Sequence, residues 1–121
     1  MGGAIPLIYF IMPNWCLNTV KFEANESVSE ELRMLFLTMA EKEILEDKGQ
    51  LPSGYEGRSG YLFEIEMEEY QLSYLTKWSP NIEVVIFVAK QYGAGFIYNY
   101  EEPGMAIYGV AFYRNGEIQD I

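Results

Sequence analysis

The chain has 121 residues, half of them hydrophobic, and its 18 acidic against 8 basic side chains give a formal charge of -10 with no histidine. That balance excludes direct binding to nucleic acid or anionic membranes, which are held mainly by Lys and Arg. An aromatic share of 16% and the modest length fit one domain with its own core.

The apolar opening Ala4 to Met12 lacks the basic flank and small-residue cleavage pattern of a signal peptide and is too short to span a bilayer. Residues 1–11 are therefore expected to be an extension, either an extra edge strand or the product of an alternative start at Met12. The domain proper is expected over 12–121. Cys16 is the single cysteine, so no intrachain disulfide forms, and the expected compartment is the reducing cytoplasm.

Leu17 to Glu23 alternates, with Asn18, Val20 and Phe22 on one side, which predicts a half-buried strand. Ser27 and Glu30 then read as a capping box opening a helix whose apolar stripe is Val28, Leu32, Leu35, Phe36, Met39 and Ile44, with Gly49 as its C-cap. Residues 47–60 form the one long loop. Tyr61 to Glu68 predicts a strand with Phe63, Ile65 and Met67 on one face and Glu64, Glu66 and Glu68 on the other. A strand over Tyr70 to Trp78 follows too closely for a crossover, so the two are expected to pair antiparallel.

Ser79-Pro80 reads as N-cap and first turn of a second helix ending at Gly93, although Val84 to Val88 is β-prone by propensity. Phe96 to Glu101 is a strand with Phe96, Tyr98 and Tyr100 on one face. Glu102-Pro103-Gly104-Met105 predicts a type II turn, Met105 to Arg114 a strand, and Asn115-Gly116 a hairpin into a last strand, Glu117 to Ile121. The order predicts an α+β, ferredoxin-like two-layer sandwich: βαββαβ plus a C-terminal hairpin strand, a mostly antiparallel sheet with two helices on one face. The other face is then solvated, covered by the N-terminal extension, or used for a partner.

Without histidine the commonest general base and zinc ligand are missing, and a lone cysteine builds no structural zinc site. No metal and no cofactor is expected. Glu64, Glu66 and Glu68 would need oxygens from other elements to hold a hard cation and are read as a solvated acidic strand. Cys16 lacks any thiolate-stabilising neighbour and is read as a small buried thiol. Gly93-Ala94-Gly95 is a helix stop rather than a dinucleotide fingerprint. Aromatics crowd the predicted strands, and Tyr and Trp are favoured at protein interfaces.

Met12-Pro13-Asn14-Trp15-Cys16-Leu17-Asn18-Thr19-Val20, Thr76-Lys77-Trp78-Ser79-Pro80 and Tyr100-Glu101-Glu102-Pro103-Gly104-Met105 resemble, in this order, three motifs of the YubB-like ferredoxin-like family of plasmid- and phage-borne bacterial proteins. The resemblance implies the same fold, a helix over Pro80 to Tyr92, a bacterial or mobile-element origin and Met12 as the ancestral start. It implies no activity. Residues 1–11 have no counterpart in that family.

Candidate binding residues are Asn14, Trp15, Trp78, Tyr98, Tyr100, Glu101 and Glu102, with Asn14, Trp78, Tyr100, Glu101 and Glu102 gathered at one end of the sheet as a polar-aromatic pocket. In the competing, purely structural reading, Asn14 and Asn18 cap strand ends, Trp15 packs on Trp78, and the Pro-Gly turn is hairpin chemistry. The expected function is non-catalytic protein binding, self-association included, through an acidic, aromatic sheet surface. Two alternatives stand beside it: a small-molecule binder or weak enzyme using Glu101 and Glu102 near Trp78, and an acidic mimic of nucleic acid that blocks a basic host protein.

Overall fold

The structure, a computed structural model, describes residues 14–120; the expected extension over residues 1–11 lies outside them. Strand β1 (Trp15–Glu23) leads into helix α1 (Glu26–Glu46), then β2 (Phe63–Glu68), β3 (Gln71–Lys77), helix α2 (Ile82–Tyr92), β4 (Gly95–Glu102), β5 (Ile107–Arg114) and β6 (Glu117–Asp120). The six strands form one sheet in the order β2-β3-β1-β4-β5-β6, and every pairing in it is antiparallel. This is the predicted ferredoxin-like sandwich, with the C-terminal hairpin widening the sheet beyond β4.

The period-2 pattern of β1 sends Cys16, Asn18, Val20 and Phe22 to the helix side, where Leu72 and Tyr74 of β3 and Phe96 and Tyr98 of β4 join them. Leu32, Phe36 and Met39 of α1 and Val84, Val85 and Val88 of α2 close this core. The β-prone run over Val84 to Val88 is therefore helical: burial on the sheet overrides its propensity.

Several local expectations are corrected. Helix α1 is capped two residues before Ser27, because Asn25 Oδ1 accepts from Val28 N–H at 2.8 Å and is as good an N-cap as serine. It ends at Asp47 (φ 53°) rather than Gly49. Ile44 is 80% exposed and leaves the apolar stripe. Helix α2 is capped at Asn81, not Ser79, since the Ser79 carbonyl is taken by the Thr76 hydroxyl at 2.7 Å. The Pro103-Gly104 segment is a 3-10 turn closed by Ala106 N–H on Pro103 O at 3.2 Å, instead of a type II turn. Asn115 (φ 54°) and Gly116 (φ 78°) form the expected hairpin turn.

The alternation predicted for β2 breaks at a β-bulge: Phe63 pairs with Leu75 but Glu66 with Ser73, and Glu64 adopts φ 49°. Phe63 thereby lies on the open face, away from Ile65. The Glu43 carboxylate accepts from the Glu64 and Ile65 N–H groups at 2.6 and 3.0 Å, so α1 satisfies two donors that this edge of the sheet would leave unpaired.

Candidate functional site

Antiparallel register brings the start of β1 and the ends of β3 and β4 to one end of the sheet: Trp15 faces Lys77 and Leu17 faces Glu101. Asn14 O accepts from Trp78 N–H at 2.7 Å. The residues singled out in the sequence do gather at this end, but the pleat divides them. Trp15 and Glu101 lie on the open face, whereas Tyr98, Tyr100 and Glu102 point to the helix side. Glu101 and Glu102 are thus split by the sheet and do not share a pocket, as neighbours on one strand never can. Trp15 packs edge-on against Phe63, centroids 5.2 Å apart.

On the helix side the polar groups form a closed network. Tyr98 OH donates to Asn18 Oδ1 at 2.5 Å and accepts from Asn81 N–H at 3.1 Å, while Tyr74 OH donates to Asn81 Oδ1 at 2.6 Å. Asn18 Nδ2 donates to Thr76 Oγ1 at 2.9 Å, and Asn81 Nδ2 donates to Gly60 O at 2.8 Å. Burial pushes the Tyr74 and Tyr98 hydroxyls well up, so both stay protonated donors. Tyr98 is fully buried and serves this network rather than a ligand. Burial also pushes the Cys16 thiol up, against the Thr76 hydrogen bond and with the Glu102 charge adding to it, which agrees with an inert buried thiol. Glu102 is 6% exposed, and its Oε1 has no hydrogen-bond partner among the described residues. Asn18, expected to cap a strand end, sits inside β1 at the centre of this network, and nothing in the sequence reading assigns Thr76 and Asn81 a role in it. The available signal was a polar residue on the apolar side of a strand, as Asn18 is beside Val20 and Phe22.

Trp78 shows the clearest local anomaly. Its φ is 71°, and Ser79 N–H bonds Lys77 O at 2.8 Å, which makes Trp78 the centre of a strained γ-turn. A bulky residue is rare in this region of backbone space. The turn leaves the indole 58% exposed. It borders a cleft of about 270 Å³ lined by Tyr61, Phe63, Lys77, Trp78, Pro80 and Glu83. Gly60 (φ 85°) also lines it, and a Cβ there would meet Val84 Cγ2 at 2.9 Å.

Next to it the open face carries a shallow groove of about 260 Å³ over β1, β4 and β5, lined by Leu17, Thr19, Asn99, Glu101, Tyr108 and Val110. Tyr108 is 80% exposed and Leu17 42%. With Trp15, Phe63, Leu75, Ile97 and Phe112 in register beside them, these side chains make an apolar band across the sheet.

The carboxylates of the first helix and of β2 lie where the sequence placed them, but the open sheet face is less acidic than expected. The open face is mixed, with Lys21, Lys77 and the Arg114–Glu23 ion pair among its carboxylates. Acidity concentrates on α1, with Glu26, Glu30, Glu31, Glu41, Glu43 and Glu46 against Arg33 and Lys42 alone, and on β2 and its turn with Glu64, Glu66, Glu68 and Glu69. Among the described residues no group of three or more Cys, Asp or Glu side chains is placed to hold a metal ion, and no helix is long and apolar enough to cross a membrane.

Two helices on one face of an antiparallel sheet, with the chain order seen here, define a ferredoxin-like α+β domain. Residues 59–121, just over half of the chain, match the family described as the ferredoxin-like domain in Api92-like protein. The chain belongs to that family. No curated protein and no solved structure matches it.

Proposed function

We propose that this domain is a non-catalytic protein-binding module whose docking surface is the open face of the sheet. One observation carries the reading: an apolar, aromatic band from Phe63 and Trp15 to Leu17, Val110 and Tyr108 lies on the face opposite the helices. Large side chains such as Tyr108, 80% exposed, are what a protein interface buries. The fitting partner presents an apolar strip with a basic side chain placed to meet Glu101. A strained, exposed Trp78 at the rim adds to this, since strained backbone clusters at binding sites. The resemblance of the three motifs to YubB-like proteins supports a mobile-element origin, and the buried Cys16 thiol supports a cytoplasmic setting.

The experiment is affinity capture with cross-linking from host lysate, comparing the wild type with Leu17→Asp and Tyr108→Asp. A specific partner, or a second copy of the chain, recovered by the wild type and lost with both variants supports the reading. Equal recovery by all three removes it.

Glu101 and Glu102 lie on opposite faces, which does not support a reading in which the two act together as acid and base. A second reading, mimicry of nucleic acid toward a basic host protein, is favoured by the concentration of carboxylates on α1 and β2. Its test is competition with nucleic acid for a basic host protein; absence of competition at low salt removes it.

A further inference from the structure

We propose that the groove between the N-terminal half of α1 and the C-terminal end of α2 receives a basic amphipathic helix of a partner protein. The proposal rests on the second reading above, that the acidic edge engages a basic protein, and is independent of the sheet face. The groove is a wide, open depression of about 860 Å³ lined by Glu26, Ser27, Glu30, Glu31, Met34 and Tyr92. Met34 is an apolar side chain 51% exposed on the solvent side of α1. It and Tyr92 supply the large apolar side chains of the lining and Glu26, Glu30 and Glu31 its charge, with no cation in the lining among the described residues. Glu30 is held by Arg33 at 3.0 Å and by the Tyr70 hydroxyl at 3.3 Å, whereas Glu26 and Glu31 have no ion pair among the described residues.

Charge complementarity selects the occupant. Nucleic acid and anionic lipid are repelled, and a second copy would bring 18 carboxylates against 8 bases to the same groove. A basic segment brings Lys and Arg, whose aliphatic stems lie over Met34 while their charged ends reach the carboxylates. An extended segment would gain little, because both walls are helices whose backbone bonds are internal, leaving no sheet edge to pair with. A helix satisfies its own backbone and offers an apolar stripe to Met34 and Tyr92.

The test uses a synthetic helical peptide with Leu on one face and Lys on the other, and a scrambled peptide of the same composition, titrated against the full chain. The amphipathic peptide is expected to bind at least about tenfold more tightly than the scrambled one. Joint replacement Glu26→Gln, Glu30→Gln and Glu31→Gln is expected to weaken it about tenfold and Met34→Ser about threefold, with Glu64→Gln, Glu66→Gln and Glu68→Gln together leaving it within about twofold. Equal binding of both peptides, or an equal loss from the β2 replacements, overturns the groove and leaves the acidic-edge reading standing. No binding of either peptide at low salt overturns both. All these side chains are at the surface, so loss through unfolding is separable by circular dichroism.

Discussion

The Tyr98 hydroxyl donates to Asn18 Oδ1 at 2.5 Å across 80 residues of sequence, tying β4 to β1 inside the core. Around this bond Tyr74, Thr76 and Asn81 satisfy one another, so the polar interior works as a unit that fixes where α2 begins. Buried networks of this kind are costly when one member is removed.

Tyr98→Phe leaves Asn18 Oδ1 without its shortest partner and Asn81 N–H without an acceptor. A loss of about 1–3 kcal/mol is expected in urea unfolding. In a double-mutant cycle, Tyr98→Phe and Asn18→Ala are expected to be non-additive. Additive losses would mean that the two groups act separately.

Glu43 is expected to matter more than any other α1 carboxylate, because it alone bonds the bulge amides. Glu43→Ala should cost about 1–3 kcal/mol, and hydrogen exchange should accelerate at the Glu64 and Ile65 amides ahead of the rest of β2. Glu41→Ala is the control, with little effect expected.

Much of this architecture is legible in the sequence, and the failures are instructive. The β1 alternation, the hairpin at Asn115-Gly116 and the element order all follow from period and turn chemistry. The bulge at Glu64 is not, since the run from Phe63 to Met67 alternates without a break and only Glu43, distant in sequence, makes the interruption stable. Asn81 displaces Ser79 as the α2 cap because its amide bonds Gly60 and Tyr74, contacts that exist only after the sheet has formed. The clustering of Asn14, Trp15, Trp78 and Glu101 at one end of the sheet was legible, because antiparallel order sets it. Which face each occupies decides function, and for Glu101 and Glu102 adjacency in sequence misled the reading.

Trp78→Gly is expected to raise stability or leave it unchanged while weakening partner capture. Glycine adopts φ near 71° freely and relieves strain of about 1–3 kcal/mol, and little burial is lost from a side chain 58% exposed. A clear drop in unfolding midpoint would show that the indole is structural.

The Arg114 guanidinium hydrogen-bonds the Glu23 carboxylate through two contacts of 2.8 Å and holds its pKa below the usual carboxylate range. A depressed folded-state pKa means that this contribution is present above the unfolded value and is lost as pH falls through the folded one. In a carboxyl NMR titration Glu23 should titrate below the ordinary glutamate value, and Arg114→Gln should move it back up. High salt should shrink the difference, because the pair is exposed.

The most direct test of the docking surface is site-specific photo-cross-linking from benzophenone-alanine placed singly at Leu17, Tyr108 and Leu45. Leu45 is 84% exposed on α1 and controls for exposure alone. Adducts to the same partner from positions 17 and 108, and none from 45, are the expected result. Adducts from 45 alone, or none from 17 and 108, would contradict the assignment of the open sheet face as the surface through which this domain binds protein.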